Sequence, residues 1–179
     1  MSTTKVITEK VRFGYAHVFE PKAMTEGSAP KYSVSLIIPK KDKKTLDKIK
    51  AAIARATEEG KTSKWLGKVP KNLKTPLRDG DEEREDDEVY AGMMFLNANS
   101  STKPGLVNED LDPILDKDDF YSGCYGRASI NFYAYDSNGS KGIACGLNNL
   151  QKLEDGERLA GIVSSAEEDF GSSQDDDLM

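Results

Sequence analysis

The sequence has little cysteine, one histidine and no long apolar run, and each shortage excludes a class of protein. Cys124 and Cys145 match no metal-binding spacing, so we expect reduced core thiols in a cytoplasmic protein. No apolar stretch approaches the about 18 residues of a membrane helix, and the N-terminus lacks an apolar signal core, so no membrane partner is expected. His17 has no nucleophile motif nearby, which predicts a structural role. No metal site and no cofactor is predicted.

The formal net charge of −6 is distributed unevenly along the chain. Residues 5–78 carry 18 lysines and arginines against 7 acids, whereas residues 79–119 carry 3 against 14. Residues 120–165 are balanced at 4 and 4, and residues 166–179 carry 6 acids and no base. A basic first half combined with an acidic arm is typical of proteins that bind polyanions.

Hydrophobic periodicity predicts a small, mainly β domain. The predicted strands cover residues 5–19 with a bulge at Gly14, and residues 31–38, 89–98, 120–135 and 142–151. Residues 99–119 form a predicted loop and residues 136–140 a hairpin turn. The strands do not alternate regularly with helices, which argues against a parallel doubly wound sheet.

One segment, residues 42–59, changes to a helical period. Asp42 is the predicted N-cap and Gly60 the predicted stop of this helix. Its apolar stripe consists of Leu46, Ile49, Ile53 and Ala56. The pattern predicts an amphipathic helix that packs on the sheet with its lysines outward.

The strand at 124–135 carries the strongest functional pattern. Its even positions are small or apolar, whereas its odd positions are polar or aromatic: Tyr125, Arg127, Ser129, Asn131, Tyr133 and Tyr135. Tyrosine rings beside a guanidinium form a platform on which unpaired bases can stack. Ordinary cross-strand pairing uses the same residues and stays open as an alternative. In the first strand, Lys10 and Arg12 share a face and extend the basic track.

A basic loop surrounds Trp65, the only tryptophan. Its cationic residues recur every three or four positions: Lys61, Lys64, Lys68, Lys71, Lys74 and Arg78. Cations around a large ring suit a groove that follows a nucleic-acid backbone. The alternative is that Trp65 anchors the loop in the core and that the lysines are solvated.

Enzyme motifs are incomplete. The triplet at 60–62 is similar to the end of a phosphate-binding loop, but Arg55 stands where that motif needs glycine. The carboxylates of residues 79–88 are consecutive and interrupted by Arg84, unlike the rigidly spaced ligands of a two-metal nuclease. We therefore expect no catalytic site, with a metal-dependent nuclease as the weakest alternative.

The C-terminal residues after Val163 have a composition that cannot form a packed core. They predict a disordered acidic tail over residues 164–179 that competes for the basic groove and recruits partner proteins. The residues predicted to contact partners are Phe170, Asp175, Asp176, Asp177, Leu178 and Met179. An inert solubilising tail is the alternative.

Three stretches together resemble a known family: PKYSVSLIIPK at 30–40, the block from FYSGCYGRASINFYAYDSNG to LQKLEDGERL at 120–159, and AEEDF at 166–170. They are similar to tailed-phage single-stranded DNA-binding proteins. The resemblance implies an oligonucleotide-binding (OB) β-barrel over residues 1–163, with the helix between strands, and a non-enzymatic role in phage DNA replication.

The expected function is therefore sequence-tolerant binding of single-stranded DNA in the cytoplasm of the infected bacterial host. Its partners would be single-stranded DNA and phage or host replication and recombination proteins, and a homodimer stays open. The alternative function is a recombination mediator that anneals complementary strands. The DNA-contacting residues are predicted to be Lys10, Arg12, Lys64, Trp65, Lys68, Lys71, Lys74, Arg78, Tyr125, Arg127, Asn131, Tyr133 and Tyr135.

Overall fold

The computed structural model describes residues 4–23, 27–137 and 140–159. Its strands are β1 (Lys5–Ile7), β2 (Val11–Lys22), β3 (Lys31–Pro39), β4 (Arg78–Asp79), β5 (Met93–Ser100), β6 (Gly105–Val107), β7 (Tyr125–Ser137) and β8 (Ser140–Glu154). The helices are α1 (Lys43–Ser63), the single turn α2 (Gly80–Glu83) and a 3-10 turn at Glu88–Tyr90. No helix in these three ranges is long and apolar enough to cross a membrane.

Five strands pair in a closed circuit, in the order β2, β3, β5, β8, β7 and back to β2. All of these pairs are antiparallel except β5–β8, which is parallel and joined at the single pair Asn99–Gly146. Strands β1, β4 and β6 add to the outside of the circuit, on β7, β5 and β8. This closed sheet confirms the predicted mainly β, OB-like fold.

The core lies inside the circuit and follows the parity predicted for β7. Gly126, Ala128, Ile130 and Phe132 are buried, whereas the odd positions of the strand are half-buried or exposed. Both cysteines are buried and free, as predicted, and burial raises the pKa of each thiol.

Helix α1 packs on β7. Its N-cap is Asp42, as predicted, whose carboxylate accepts a hydrogen bond from the Thr45 amide at 3.1 Å. The predicted stop at Gly60 is wrong, because the helix continues to Ser63. A Cβ at Gly60 would lie 3.0 Å from the Trp65 ring and closer still to Ala134, so this glycine serves close packing.

Several predicted strand boundaries are also wrong. The strand predicted from residue 120 begins only at Tyr125. The first strand divides into β1 and β2, because Thr8 turns inward, is fully buried and receives the Ala128 amide on its hydroxyl at 3.0 Å. The strand predicted from residue 89 begins only at Met93, after the 3-10 turn. The predicted loop at 99–119 contains β6.

Two further local predictions, the bulge and the hairpin, are confirmed. The register of β2 shifts after Gly14, which is the predicted bulge, and Tyr15 there has a positive φ of 45°. Strands β7 and β8 pair as a hairpin out to Ser137–Ser140, as predicted; Asn138 and Gly139 lie outside the described residues.

Candidate nucleic-acid interface

The basic loop is hydrogen-bonded to the β7–β8 hairpin near its turn. The Lys74 carbonyl accepts from the Ile143 amide at 2.8 Å, and the Lys74 amide donates to the Lys141 carbonyl at 3.2 Å. The ammonium of Lys74 lies 3.2 Å from the Ser140 hydroxyl. The loop thereby presents Lys64, Lys68, Lys71 and Lys74, all exposed, beside the hairpin.

Trp65 lies in the core, which contradicts its predicted role in DNA contact. The side chain is 4% exposed, and its indole N–H donates to the Tyr135 carbonyl at 3.2 Å. The ring fills the space that Gly60 leaves open. The alternative, that Trp65 anchors the basic loop, is what the structure shows.

The outward residues of β7 divide into two groups. At the hairpin end, Tyr133 is 44% exposed, and a Cβ added at Gly142 would lie 2.7 Å from the Tyr135 hydroxyl. Tyr125 lies ten residues away at the other end of the strand, about 33 Å at the usual rise. The structure therefore does not bring the predicted face together as one compact platform.

The group around Tyr125 is held by contacts within the protein. The guanidinium of Arg12 lies 5.4 Å from the Tyr125 ring centroid and donates to the carbonyls of Gly123 (3.1 Å) and Glu157 (2.7 Å). Arg127 donates to the Thr8 carbonyl at 2.9 Å. The other two predicted cations, Lys10 and Arg78, form ion pairs with Glu154 (2.9 Å) and Glu83 (3.0 Å).

A lateral row of polar positions crosses the outside of the barrel. The register aligns one residue of each successive strand: His17, Ser33, Asn99, Gly146, Asn131 and Lys5. Since neighbouring strands lie about 4.8 Å apart, this polar row extends for roughly 24 Å. Gly146 keeps the row open, because a Cβ there would lie 2.9 Å from the Asn131 amide oxygen.

Two adjoining depressions of about 310 and 240 Å³ lie along this row and share Lys31 and Asn99. We call them together the polar groove. Its lining includes the side chains of Tyr15, His17, Lys22, Lys31, Ser33, Arg84, Asn97, Asn99, Ser100, Asn131, Tyr133 and Asn148. Among the described residues, no carboxylate lines either depression. The groove thus combines cations, amides, hydroxyls and two exposed tyrosines.

His17 and Arg84 set the electrostatics of one end of the polar groove. Burial and the neighbouring Lys22 ammonium lower the pKa of His17 below its usual value. Arg84 lies 5.7 Å from the Tyr15 ring centroid and 5.2 Å from that of Phe95. Tyr15 is 38% exposed, and its backbone is in the left-handed conformation.

Residues 79–88, the acidic segment, cover the neighbouring part of the barrel surface. The ammonium of Lys40 lies 2.8 Å from Asp79 and 2.7 Å from Asp81, which raises the pKa of Lys40 to about 12 and lowers the pKa of both carboxyls. Tyr90, two residues after this segment, packs on Ile37 in a small second core. Within the described ranges, no three His, Cys, Asp or Glu side chains are grouped to hold a metal ion.

Most residues of the polar groove were not predicted from the sequence. Strand parity could have placed Ser33 and Asn99 outward, but nothing in the sequence aligns them with Asn131, which lies on a strand far away in the chain. The predicted tail contacts, Phe170, Asp175, Asp176, Asp177, Leu178 and Met179, lie outside the described residues.

Comparison with known proteins gives consistent matches. The model of a family described as Enterobacter phage Enc34, ssDNA-binding protein, matches residues 4–179. The protein p50 of Acyrthosiphon pisum secondary endosymbiont phage 1 is 32% identical over 184 residues, covering 98% of each chain.

Two solved structures have a similar fold. The single-stranded DNA-binding protein from bacteriophage Enc34, in complex with ssDNA, is 26% identical over 88% of this chain and 90% of that chain, with a TM-score of 0.77. The single-stranded DNA binding protein gp2.5 of bacteriophage T7 covers 92% of this chain and 99% of its own, with 16% identity and a TM-score of 0.60. The second likeness concerns the fold alone.

Proposed function

The chain belongs to the family of the Enterobacter phage Enc34 ssDNA-binding protein, and we propose from this premise that it binds single-stranded DNA with little sequence preference. The observation that carries the proposal is the polar groove, a cationic track that no carboxylate of the described residues lines, on a chain whose net charge is −6. The Enc34 relative solved with ssDNA has the same fold over most of this chain.

The polar groove contains side chains suited to the phosphates and to the bases of a DNA strand. Lys22, Lys31 and Arg84 supply cations for phosphates, and binding there releases counterions. The exposed rings of Tyr15 and Tyr133 supply faces for base stacking, which tolerates any base. Amides and hydroxyls can both donate and accept, so they do not select one base edge.

The basic loop extends this track past the hairpin end of β7. Lys64, Lys68, Lys71 and Lys74 are exposed there. With Tyr135 they form a second contact region, whose share of the affinity is electrostatic and falls with salt. The predicted contacts of Lys10, Arg12, Arg78, Tyr125 and Arg127 require DNA to compete with their present partners within the protein.

In the proposed role, the protein protects and organises DNA during phage replication and recombination in the cytoplasm of the infected host, without catalysing a reaction. The acidic residues 164–179 compete with DNA for the cationic track and recruit replication partners.

A salt titration of the full chain with a labelled oligothymidylate and a matched duplex tests the proposal. The logarithm of affinity for the single strand should fall with the logarithm of salt, with a slope of about −0.7 per phosphate contacted. Absence of single-strand binding by the wild type would overturn it.

A matched pair of charge reversals locates the site. Lys31→Glu in the groove should weaken binding by about tenfold or more, whereas Lys50→Glu, on an exposed position of α1, should have an effect within about threefold. If the two substitutions weakened binding equally, the polar groove would not be the DNA-binding site.

A further inference from the structure

Two loops each expose a leucine in a strained backbone conformation. Leu66, in the basic loop, is 97% exposed with φ of 54°, and Leu111 is 69% exposed with φ of 69°. The left-handed region is unfavourable for a branched side chain, and such strain concentrates at functional positions. Leu115, four residues after Leu111, is 86% exposed.

Both loops are held by hydrogen bonds. Next to Leu66, the Gly67 amide donates to the Lys61 carbonyl at 2.6 Å, and buried Trp65 anchors the loop. In the second loop, the side-chain oxygen of Asn108 accepts from the amides of Asp110 (2.9 Å) and Asp112 (3.0 Å). The leucines are therefore presented outward by ordered turns.

The charges around the two leucines are opposite. Residues 61–74 contain five lysines and no acid, whereas residues 108–119 contain six acids and one lysine. That lysine, Lys117, lies 3.2 Å from Glu20. We call the two segments the basic pole and the acidic pole.

The two poles lie at different ends of β8. The basic pole is joined to this strand at Gly142, where Lys74 bridges it. The acidic pole follows β6, whose Val107 pairs with Gln151 and bridges Pro113. Nine residues of β8 separate the two attachment points, up to about 30 Å at the usual strand rise.

We propose that the basic pole of one copy of this chain docks on the acidic pole of a second copy when both are bound to the same DNA strand. This inference rests on the proposed function, because DNA places the copies next to each other. Leu66 would pack against Leu111 and Leu115, inside a rim of opposite charges.

The contact is heterologous, since different surfaces of the two copies meet. A pair of copies joined in this way has a free basic pole at one end and a free acidic pole at the other. Further copies can therefore dock on either end in the same orientation. The product is an open row of molecules along the strand, which is cooperative binding.

The experiment uses the full chain and two oligothymidylates, one long enough for a single copy and one for two. The ratio of the affinities for the second and the first copy, the cooperativity ratio, is obtained by titration with mass photometry. Leu66→Ser and Leu111→Ser each should lower this ratio by about tenfold or more while one-copy affinity stays within about twofold, because each removes an apolar contact between copies. Ile7→Ser, at an exposed apolar residue outside both poles, is the control that should keep the ratio.

Mixing the two variants gives the sharpest result. Leu66→Ser keeps an intact acidic pole and Leu111→Ser an intact basic pole, so a mixture should recover adjacent pairs on the two-copy strand although neither variant forms them alone. A mixture without recovery, or single variants with the wild-type ratio, would overturn the proposal. If Leu66→Ser lowered the affinity for the one-copy strand by the same factor as the cooperativity ratio, Leu66 would contact DNA and not a second copy. That result would also overturn the proposal.

The outcome is separable from that of the proposed function. A wild type that binds the one-copy strand but shows no cooperativity contradicts only the docking of poles. A wild type that binds neither strand contradicts the proposed function itself. The mixture of the two variants should still form adjacent pairs when residues 164–179 are removed from both. If the pairs form only when those residues are present, the tail occupies the basic pole, and the proposed docking is overturned.

Discussion

Among single residues, Tyr133 combines exposure and position best for contact with a base. It lies at the edge of the polar groove, beside Asn131 and opposite Ala144 on β8. Its ring is 44% exposed, so its loss should cost the fold little.

Tyr133→Ala should weaken binding of an oligothymidylate by about 5- to 150-fold, which corresponds to the roughly 1–3 kcal/mol of one stacked base. Tyr133→Phe keeps the ring and should bind like the wild type. Fluorescence anisotropy measures the affinities, and thermal unfolding checks that both variants are folded. Equal binding by all three proteins would exclude stacking on Tyr133.

We expect His17 to make DNA binding depend on pH. Its pKa lies below the usual 6.5 in the free protein, because burial and Lys22 disfavour the imidazolium. His17 therefore takes up a proton less readily in the folded state than in the unfolded chain. The free protein consequently loses stability as the pH falls below the ordinary histidine pKa. A DNA phosphate bound in the groove would raise the pKa of His17, because a nearby negative charge favours the charged imidazolium.

We therefore expect affinity for single-stranded DNA to rise as pH is lowered from about 7.5 to about 5.5 at constant ionic strength, with proton uptake on binding. His17→Gln should flatten this rise. Anisotropy titrations at several pH values provide the measurement. A rise of the same size in the variant would show that another group takes up the proton.

At the scale of elements, the basic loop depends on one buried side chain. Trp65→Ala should lower the free energy of unfolding by about 3–5 kcal/mol, as expected for a large core residue. Leu66→Ala, at the exposed neighbour, should change it by less than about 0.5 kcal/mol. Urea unfolding measures both.

The same residue gives a spectroscopic check on its burial. Because Trp65 is the only tryptophan, its fluorescence reports on this position alone. Saturation with oligothymidylate should leave the emission maximum unchanged. Strong quenching would indicate that a base reaches the ring.

The predictability of each element follows from how local its determinants are. The N-cap of α1 and the alternation of β7 depend on neighbours in the sequence, and both were predicted correctly. The stop at Gly60 was wrong, because a distant strand residue, Ala134, requires glycine there. The polar groove could not be predicted for the same reason, since strand register brings His17 and Asn131 into one row.

At the scale of the whole molecule, charge is separated into regions. The acidic segment covers barrel surface beside the polar groove through Tyr90 and Ile37, whereas the lining of the groove within the described ranges is free of carboxylates. Residues 166–179 add six acids that can compete with DNA for the cations. The low pI of about 5.0 is thus compatible with binding a polyanion.

Truncation after Ser165 should strengthen binding of single-stranded DNA at low salt, because it removes a competitor for the cationic track. The gain should diminish at high salt, where charges are screened. Anisotropy titrations at two salt concentrations measure it. A full-length chain with Asp175, Asp176 and Asp177 changed to asparagine should show an intermediate gain; unchanged or weaker binding by the truncated chain would contradict competition.

The single pair Asn99–Gly146 that closes the strand circuit has a mechanical consequence. A sheet opens most easily where the fewest backbone hydrogen bonds hold two strands together. We therefore expect the barrel to open first between β5 and β8, and we call this contact the latch. A nucleotide chain lying from His17 to Asn131 would bridge the latch and hold it shut. DNA binding and closure of the barrel are then thermodynamically linked, so that bound DNA would stabilise the closed barrel.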